Sequence, residues 1–401
     1  MTNGSLQDQF TEYLEKDSIF KDKEVLSTDY RPDDILHRDE HINELASILA
    51  PSLKGNDPSN IFIYGSVGTG KTLVTKHVCN ELKMVADDAD EDLEIVYINC
   101  KMKKVADTEY RVSAKLAREL GKDVPSTGLP TDEVYERFFE ALEDHEGVVI
   151  LVLDEIDALI KKIGDDFLYN LTRVNDDLNN TKVSLIGISN DLNFTDYMDA
   201  RVKSSLGEEE IIFRPYNALQ LKKILEQRAS DAFRDECLKE GVISKCSALV
   251  GAEQGDARKA IDLLRVAAEL SERDNREQVQ VEYVDKAQEK IEKDRIVEAV
   301  RNQPKHSQLT VYTIIDMYDE DGKIVTGDVY SAYKDIARKA GTEPLTQRRI
   351  SDLIDELDML GVINATVTSQ GRHGRTRHIS LDLDAHIVEK LTEMLEDEFH
   401  L

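Results

Sequence analysis

A chain of 401 residues is too long for one ordinary core and implies two or three domains, and 40% hydrophobic with 33% charged residues describes a globular protein, not a disordered one. No run approaches a membrane span and the N-terminus lacks a basic-then-apolar leader, so membrane and secreted classes are set aside and a cytoplasmic location is expected. The 80 acidic against 51 basic residues give a net charge of −29, which argues against a protein coated by nucleic acid while leaving room for a local basic site.

The acids are spread over every segment, a distribution that suits adaptation to molar intracellular salt. Residues 1–27 read as a polar, partly helical arm, and a helix is expected from about Arg38 to Leu53. Asn60–Tyr64 is a short apolar run of the kind that forms a buried strand. It breaks at Gly65-Ser66-Val67-Gly68-Thr69-Gly70-Lys71-Thr72, a complete phosphate-loop pattern, and resumes at Lys71 as a helix with Leu73, Val74, His77, Val78 and Leu82 on one face. Glycines there let consecutive backbone N–H groups turn inward, and the helix N-terminus adds positive character. Lys71 is placed to reach the β-phosphate of ATP or ADP and the γ-phosphate of ATP, and Thr72 to offer its hydroxyl to Mg²⁺. The chain is expected to bind a nucleoside triphosphate.

A second strand is expected at Glu94–Asn99, a loop at Gly121–Pro130 and a helix from Thr131. Val148–Leu153 is apolar throughout, like a central parallel strand, and ends in Asp154-Glu155, a Walker B pattern. Asp154 would hold Mg²⁺ through its water shell and Glu155 would orient the attacking water. A strand at Val183–Ser189 ends in Asn190, which either touches the γ-phosphate or its water or caps the turn before Asp191. With a last strand at Glu209–Phe213, five strands alternating with helices predict a three-layer αβα sandwich with a parallel sheet.

From Pro215 the pattern is helical: Asn217–Ala232, Glu236–Leu249, Asp256–Leu270 and Val281–Val300. Arg258, in the first turn of the third of these, opposes the helix dipole and so points to a bound anion. After Pro304 come three helices, Leu309–Tyr318, Thr326–Ala340 and Thr346–Leu360. Two strands follow, Val362–Thr368 and His378–Leu383, joined by a basic stretch without acids, which together make a winged helix. Arg348, Arg349, Arg372, Arg375 and Arg377 are its candidate DNA contacts, set against the plainer reading of a solvated charge run. Glu343, Asp352 and Asp355 flank them and would take up cations as DNA approaches. The boundaries that result are 1–27 arm, 28–214 nucleotide-binding α/β domain, 215–295 helical lid and 296–401 winged helix.

Several strings together resemble the AAA+ replication initiators of archaea, relatives of the large subunit of the eukaryotic origin recognition complex and of its helicase-loading partner. They are Tyr30-Arg31-Pro32, Leu36–Glu40, the phosphate loop with its strand, LVLDEID, Ile186–Asn190, ARVKSSL, GDARKAIDLL and the arginine-rich wing. The resemblance spans nearly the whole chain. It implies that Asn190 is sensor 1, Arg258 sensor 2, and Arg201 an arginine finger acting on a neighbour's nucleotide. It likewise implies that Tyr216 and Arg228 contact adenine and phosphate, and that an extra helix near Asp165–Asn175 enters the DNA minor groove. The activity implied is a slow ATPase switch on double-stranded origin DNA, with self-association there and recruitment of the replicative helicase. Two other readings share the core: a winged-helix NTPase that regulates transcription, and a clamp-loader-like ATPase.

Overall fold

The computed structural model describes residues 17–28, 30–101, 108–125, 127–192, 194, 198–206, 208–318, 324–369, 375–381, 383 and 385–400. The chain divides into two compact units, Met1–Val284 and Asp285–Leu401. The first begins with α1 (Asp39–Leu49), β1 (Ile61–Gly65), α2 (Lys71–Asp88), β2 (Leu93–Asn99), α3 (Glu109–Glu119) and α4 (Thr131–Glu143). It continues with β3 (Val148–Asp154), α5 (Ile156–Ile163), α6 (Asp166–Thr172), β4 (Lys182–Ser189), α7 (Ala200–Leu206) and β5 (Glu209–Phe213).

The strands form one sheet in the order β2-β3-β4-β1-β5, every neighbouring pair parallel. Alternation along β3 explains the layers. Val148, Ile150 and Val152 pack with Ile61, Ile63 and the apolar residues of α1 and α2, whereas Val149, Leu151 and Leu153 pack with Phe62, α3 and α4 on the other face. Because β4 lies between β1 and β3, the C-terminal tips of three adjacent strands open into one crevice, where open α/β sheets take their ligands.

The lid comprises α8 (Ala218–Ala232), α9 (Val242–Glu253), α10 (Ala257–Arg273) and the start of α11 (Glu282–Arg301). Asn217 and Gln220 close the first of these helices with a reciprocal capping box. The second begins six residues later than its composition suggests, because Glu236 turns at a φ of 63° and Leu238 pairs with Val279. The segment before residue 28 also differs from a free arm. Ile19, Phe20, Val25 and Leu26 are buried, Phe20 stacks on Phe233 at 5.2 Å, and Lys23 pairs with Glu269 at 2.9 Å. Four apolar side chains in an otherwise polar stretch suffice to dock it on the lid.

In the second unit follow α12 (Lys305–Asp316), β6 (Ile324–Val325), α13 (Thr326–Lys339), α14 (Gln347–Met359), β7 (Asn364–Ser369), β8 (Arg375–Ser380) and α15 (Ala385–Phe399). The strands form an antiparallel sheet ordered β6-β8-β7. Beyond β6, which adds a third strand to the expected hairpin, two further features depart from expectation. The hairpin pairs Ser369 with Arg375, so Arg375 and Arg377 lie on β8 and not in the connecting loop, and Arg372 falls outside the described residues. The last helix is an addition to the expected elements; its Ile387, Leu391 and Leu395 are buried in the unit's core at four-residue spacing.

Candidate functional site

β1 stops at Gly65, and Gly68 and Gly70 turn with φ of 71° and 90° before α2 begins. A Cβ on Gly68 would stand 1.6 Å from the Asp256 carboxylate, so only glycine fits that bend. Lys71 is 4% exposed, and its ammonium donates to the carbonyl oxygens of Gly65 and Ser66, each at 2.8 Å. Burial pushes its pKa down to about 8, Asp154 opposing and the nearby Arg258 adding to the shift. Thr72 Oγ1 donates to Asp154 Oδ2 at 2.9 Å, across from α2 to the end of β3. Asp154 Oδ1 accepts the Glu155 backbone N–H at 2.9 Å, and Oδ2 accepts a second hydroxyl, that of Tyr97 on β2. Glu155 adopts a left-handed backbone, φ 55° and ψ 45°, and its carboxylate pairs with Lys101 at 3.3 Å. Gly68 to Thr72, Asp154, Glu155, Asn190 and Arg258 line one polar recess.

The lid supplies the far wall. The N-terminus of α10 abuts the loop, with the Ala257 N–H donating to the Gly68 carbonyl at 3.2 Å and Asp256 capping the helix. This contact carries Arg258 to the recess, where among the described residues its guanidinium has no carboxylate within 4.0 Å. Next to the recess, and sharing Gly68, Gly70, Thr72 and Arg258 with it, lies a cavity of about 370 Å³. Tyr30, Pro32, Ile35, Leu36, Leu73, Tyr216, Ile224, Arg228 and Ile261 are among its lining residues. Such a division, apolar beside polar, suits a flat base at one end and phosphates at the other.

Two arginines behave differently from expectation. Arg228 does line the cavity, but its guanidinium stacks on Tyr30 at 4.4 Å and donates to the carbonyls of Val25 and Tyr30, at 3.2 and 3.4 Å. It therefore holds the docked N-terminal segment against the lid, on the base side. Arg38, to which sequence reasoning gave no role, is 4% exposed and donates to the carbonyls of Thr69 and Arg214 at 2.9 and 2.8 Å. Its guanidinium also faces the Tyr216 ring at 4.0 Å, so one side chain joins the phosphate loop, the end of β5 and the cavity wall. The only local signal is an arginine at the N-cap of α1, where a short polar residue is usual.

Arg201 lies outside its own chain's recess, on α7. It is bonded to Asp199 through Nε and Nη2 at 3.0 and 3.1 Å, which holds that carboxyl down to about 2. Both Arg201 and Arg173 face the ring of Tyr169, at 5.0 and 4.7 Å, and Tyr169 sits on α6. That helix, expected near Asp165–Asn175, buries Phe167, Leu168 and Leu171. In the winged-helix unit Arg349 pairs with Asp352 at 3.9 Å and Glu356 at 3.4 Å, and Arg377 with Asp355 at 2.7 Å. Arg348 makes no ion pair among the described residues, nor does Glu343.

Residues 55–194 match the AAA domain model, 222–289 the Cdc6 AAA+ ATPase-type lid domain, and 298–391 the CDC6 C terminal winged helix domain. The ORC1-type DNA replication protein 1 of Methanosarcina mazei is 52% identical over 98% of this chain and 94% of its own length. The chain belongs to the ORC1-type DNA replication proteins. A second ORC1-type relative, from Thermococcus kodakarensis, is 50% identical over 98% of this chain and 95% of its own. The solved structure of the Aeropyrum pernix ORC1 protein in complex with DNA superposes with a TM-score of 0.84 at 44% identity, covering 96% of this chain and 99% of that one. ORC1-type architecture implies a nucleotide and a divalent metal, and the residues present fit both. A buried lysine folded onto loop carbonyls and an arginine without a carboxylate are suited to phosphate, and the Thr72–Asp154 oxygen pair to a hard cation.

Proposed function

We propose that this ORC1-type protein initiates chromosomal DNA replication as an ATP-switched binder of double-stranded origin DNA. The observation that carries the reading is the meeting of Lys71, Thr72, Asp154, Glu155, Asn190 and Arg258 in one recess between sheet and lid, in a chain whose second unit is a winged helix. In this reading Gly65 to Leu73 cradle the nucleotide and Lys71 and Arg258 neutralise its phosphates. Tyr216 walls the base, with Arg228 behind it. Thr72 and Asp154 would hold Mg²⁺, which would supply polarisation of the terminal phosphate. Glu155 and Asn190 orient the water, and Arg201, after exchanging Asp199 for a neighbour's nucleotide, completes that neighbour's site. Turnover is slow because the output is a bound state. The assignment of 28–214 to the ATPase domain, 215–295 to the lid and 296–401 to the DNA-binding domain follows from the same reading, with residues 17–27 joined to the lid.

Arg348, Arg349, Arg372, Arg375, Arg377 and the α6 helix are the proposed DNA contacts, supported by the DNA complex of the Aeropyrum pernix relative. Kinship supports recruitment of the replicative helicase in the cytoplasm. The dispersed acids and the arginine–carboxylate pairs of α14 support adaptation to high salt. Genomic footprinting with and without ATP tests the whole. A few ATP-sensitive inverted-repeat sites, one beside this gene, are expected; sites scattered over unrelated promoters would favour a transcription regulator.

A further inference from the structure

Asp154 receives one donor more than its proposed partnership with Thr72 requires. The register pairs Tyr97 with Val152 and Asn99 with Asp154, so Tyr97 lies two residues behind the aspartate on the neighbouring strand. Its side chain reaches forward, and its hydroxyl donates to Oδ2, the same oxygen that accepts from Thr72. Lys76 lies one helical turn after Thr72 on α2, and its ammonium stands 4.0 Å from the Tyr97 ring centre. A cation on the ring face draws electron density from the phenol and makes its O–H a stronger donor. With Oδ1 held by the Glu155 N–H, both oxygens of a 3% exposed carboxylate are engaged, and its plane cannot rotate freely. Thr72 has a single proton and must also face the cation. Tyr97 is the donor with no second duty.

We propose that Tyr97 is a positioning residue for the divalent metal, its hydroxyl fixing the Asp154 carboxylate in the orientation that receives the ion together with Thr72. This rests on the nucleotide-site reading above. Tyr97→Phe keeps the ring, its packing and the Lys76 contact, and removes only the hydroxyl. The test is Mn²⁺ titration by electron paramagnetic resonance with saturating ADP, alongside calorimetric ADP affinity in EDTA. Half-saturating Mn²⁺ should rise roughly tenfold, the lower end of what loss of an outer-shell partner costs a metal site, while metal-free ADP affinity stays within about twofold. Unchanged Mn²⁺ binding in Tyr97→Phe, with Asp154→Asn still weakened, would overturn the role of Tyr97 and leave the site reading intact. Unchanged binding in both variants would remove the site reading as well. A parallel loss of metal-free ADP affinity in Tyr97→Phe would mark the hydroxyl as merely structural and also overturn the proposal.

Discussion

The nucleotide recess and the winged helix both rely on cations, and they neutralise them in opposite ways. In the recess and around the cavity beside it, Lys71, Arg38 and Arg228 are buried and donate to main-chain carbonyls. In the winged helix, Arg349 and Arg377 are more exposed and sit on carboxylates. A carbonyl dipole orients a cation and leaves its full charge to act on an incoming phosphate, whereas a carboxylate cancels that charge until something displaces it. One region is charged in advance. The other, if its arginines are to reach DNA as proposed, would have to exchange partners.

The largest effect expected from this contrast is at Lys71. Lys71→Ala should weaken ATP roughly 100-fold, as loss of a buried charged donor implies, while Glu155→Gln binds ATP normally and loses hydrolysis. Equal calorimetric affinity in wild type and Lys71→Ala would remove the distinction between the two regions. Arg38→Ala should come next, with a loss of stability of about 2 kcal/mol because one buried and one part-buried carbonyl lose a shared donor, and a weaker grip on ATP as Thr69 is released. A denaturant midpoint unchanged from wild type would show that its carbonyl bonds carry nothing.

On the winged helix, Arg348→Ala should reduce DNA affinity about tenfold, and Arg377→Ala only a few-fold, since Asp355 already cancels much of the latter's charge. The full set of arginines alone would give a log–log salt slope near about −4, but cation uptake by Asp352, Asp355 and Glu356 should keep the measured slope shallow between roughly 0.5 and 2 M KCl. Replacing those three acids by amides should steepen it by roughly 2–3 units in an anisotropy titration. A wild-type slope already at about −4 would show that the acids take no part.

The smallest effect is a proton. In the free protein Lys71 titrates at about 8, below its unfolded value of 10.5. Between those values the unfolded chain holds more protons than the fold, so stability from this residue rises as pH rises through 8; below 8 both states are charged and the burial cost is constant. Phosphate reverses the sign by drawing the proton back, so ATP binding at pH 8 should take up about half a proton. Calorimetry in two buffers of different ionisation enthalpy reads this, and Lys71→Met should abolish it.

Much of this could be read in the chain. The five strands of the ATPase sheet fall within a residue of expectation, because buried parallel strands are continuous apolar runs and phosphate-loop spacing is a backbone requirement. What stays hidden depends on contacts through space. Nothing local tells that Tyr97 reaches Asp154, that Arg38 spans Thr69 and Arg214, or that Asp355 covers Arg377. The hairpin register escapes the sequence for a related reason: arginines at 375 and 377 look like loop residues by charge, yet pairing with Ser369 and Val367 puts them on a strand.

Glu155 leaves a last consequence. Its left-handed backbone, φ 55°, costs a side-chain-bearing residue about 1 kcal/mol that glycine or asparagine would not incur. The residue that best suits the polypeptide at this point is thus not the one that the proposed water activation calls for. A directed-evolution campaign selected only for heat resistance would drift toward Glu155→Gly or Glu155→Asn and, on the proposed role of Glu155, would silence turnover on the way.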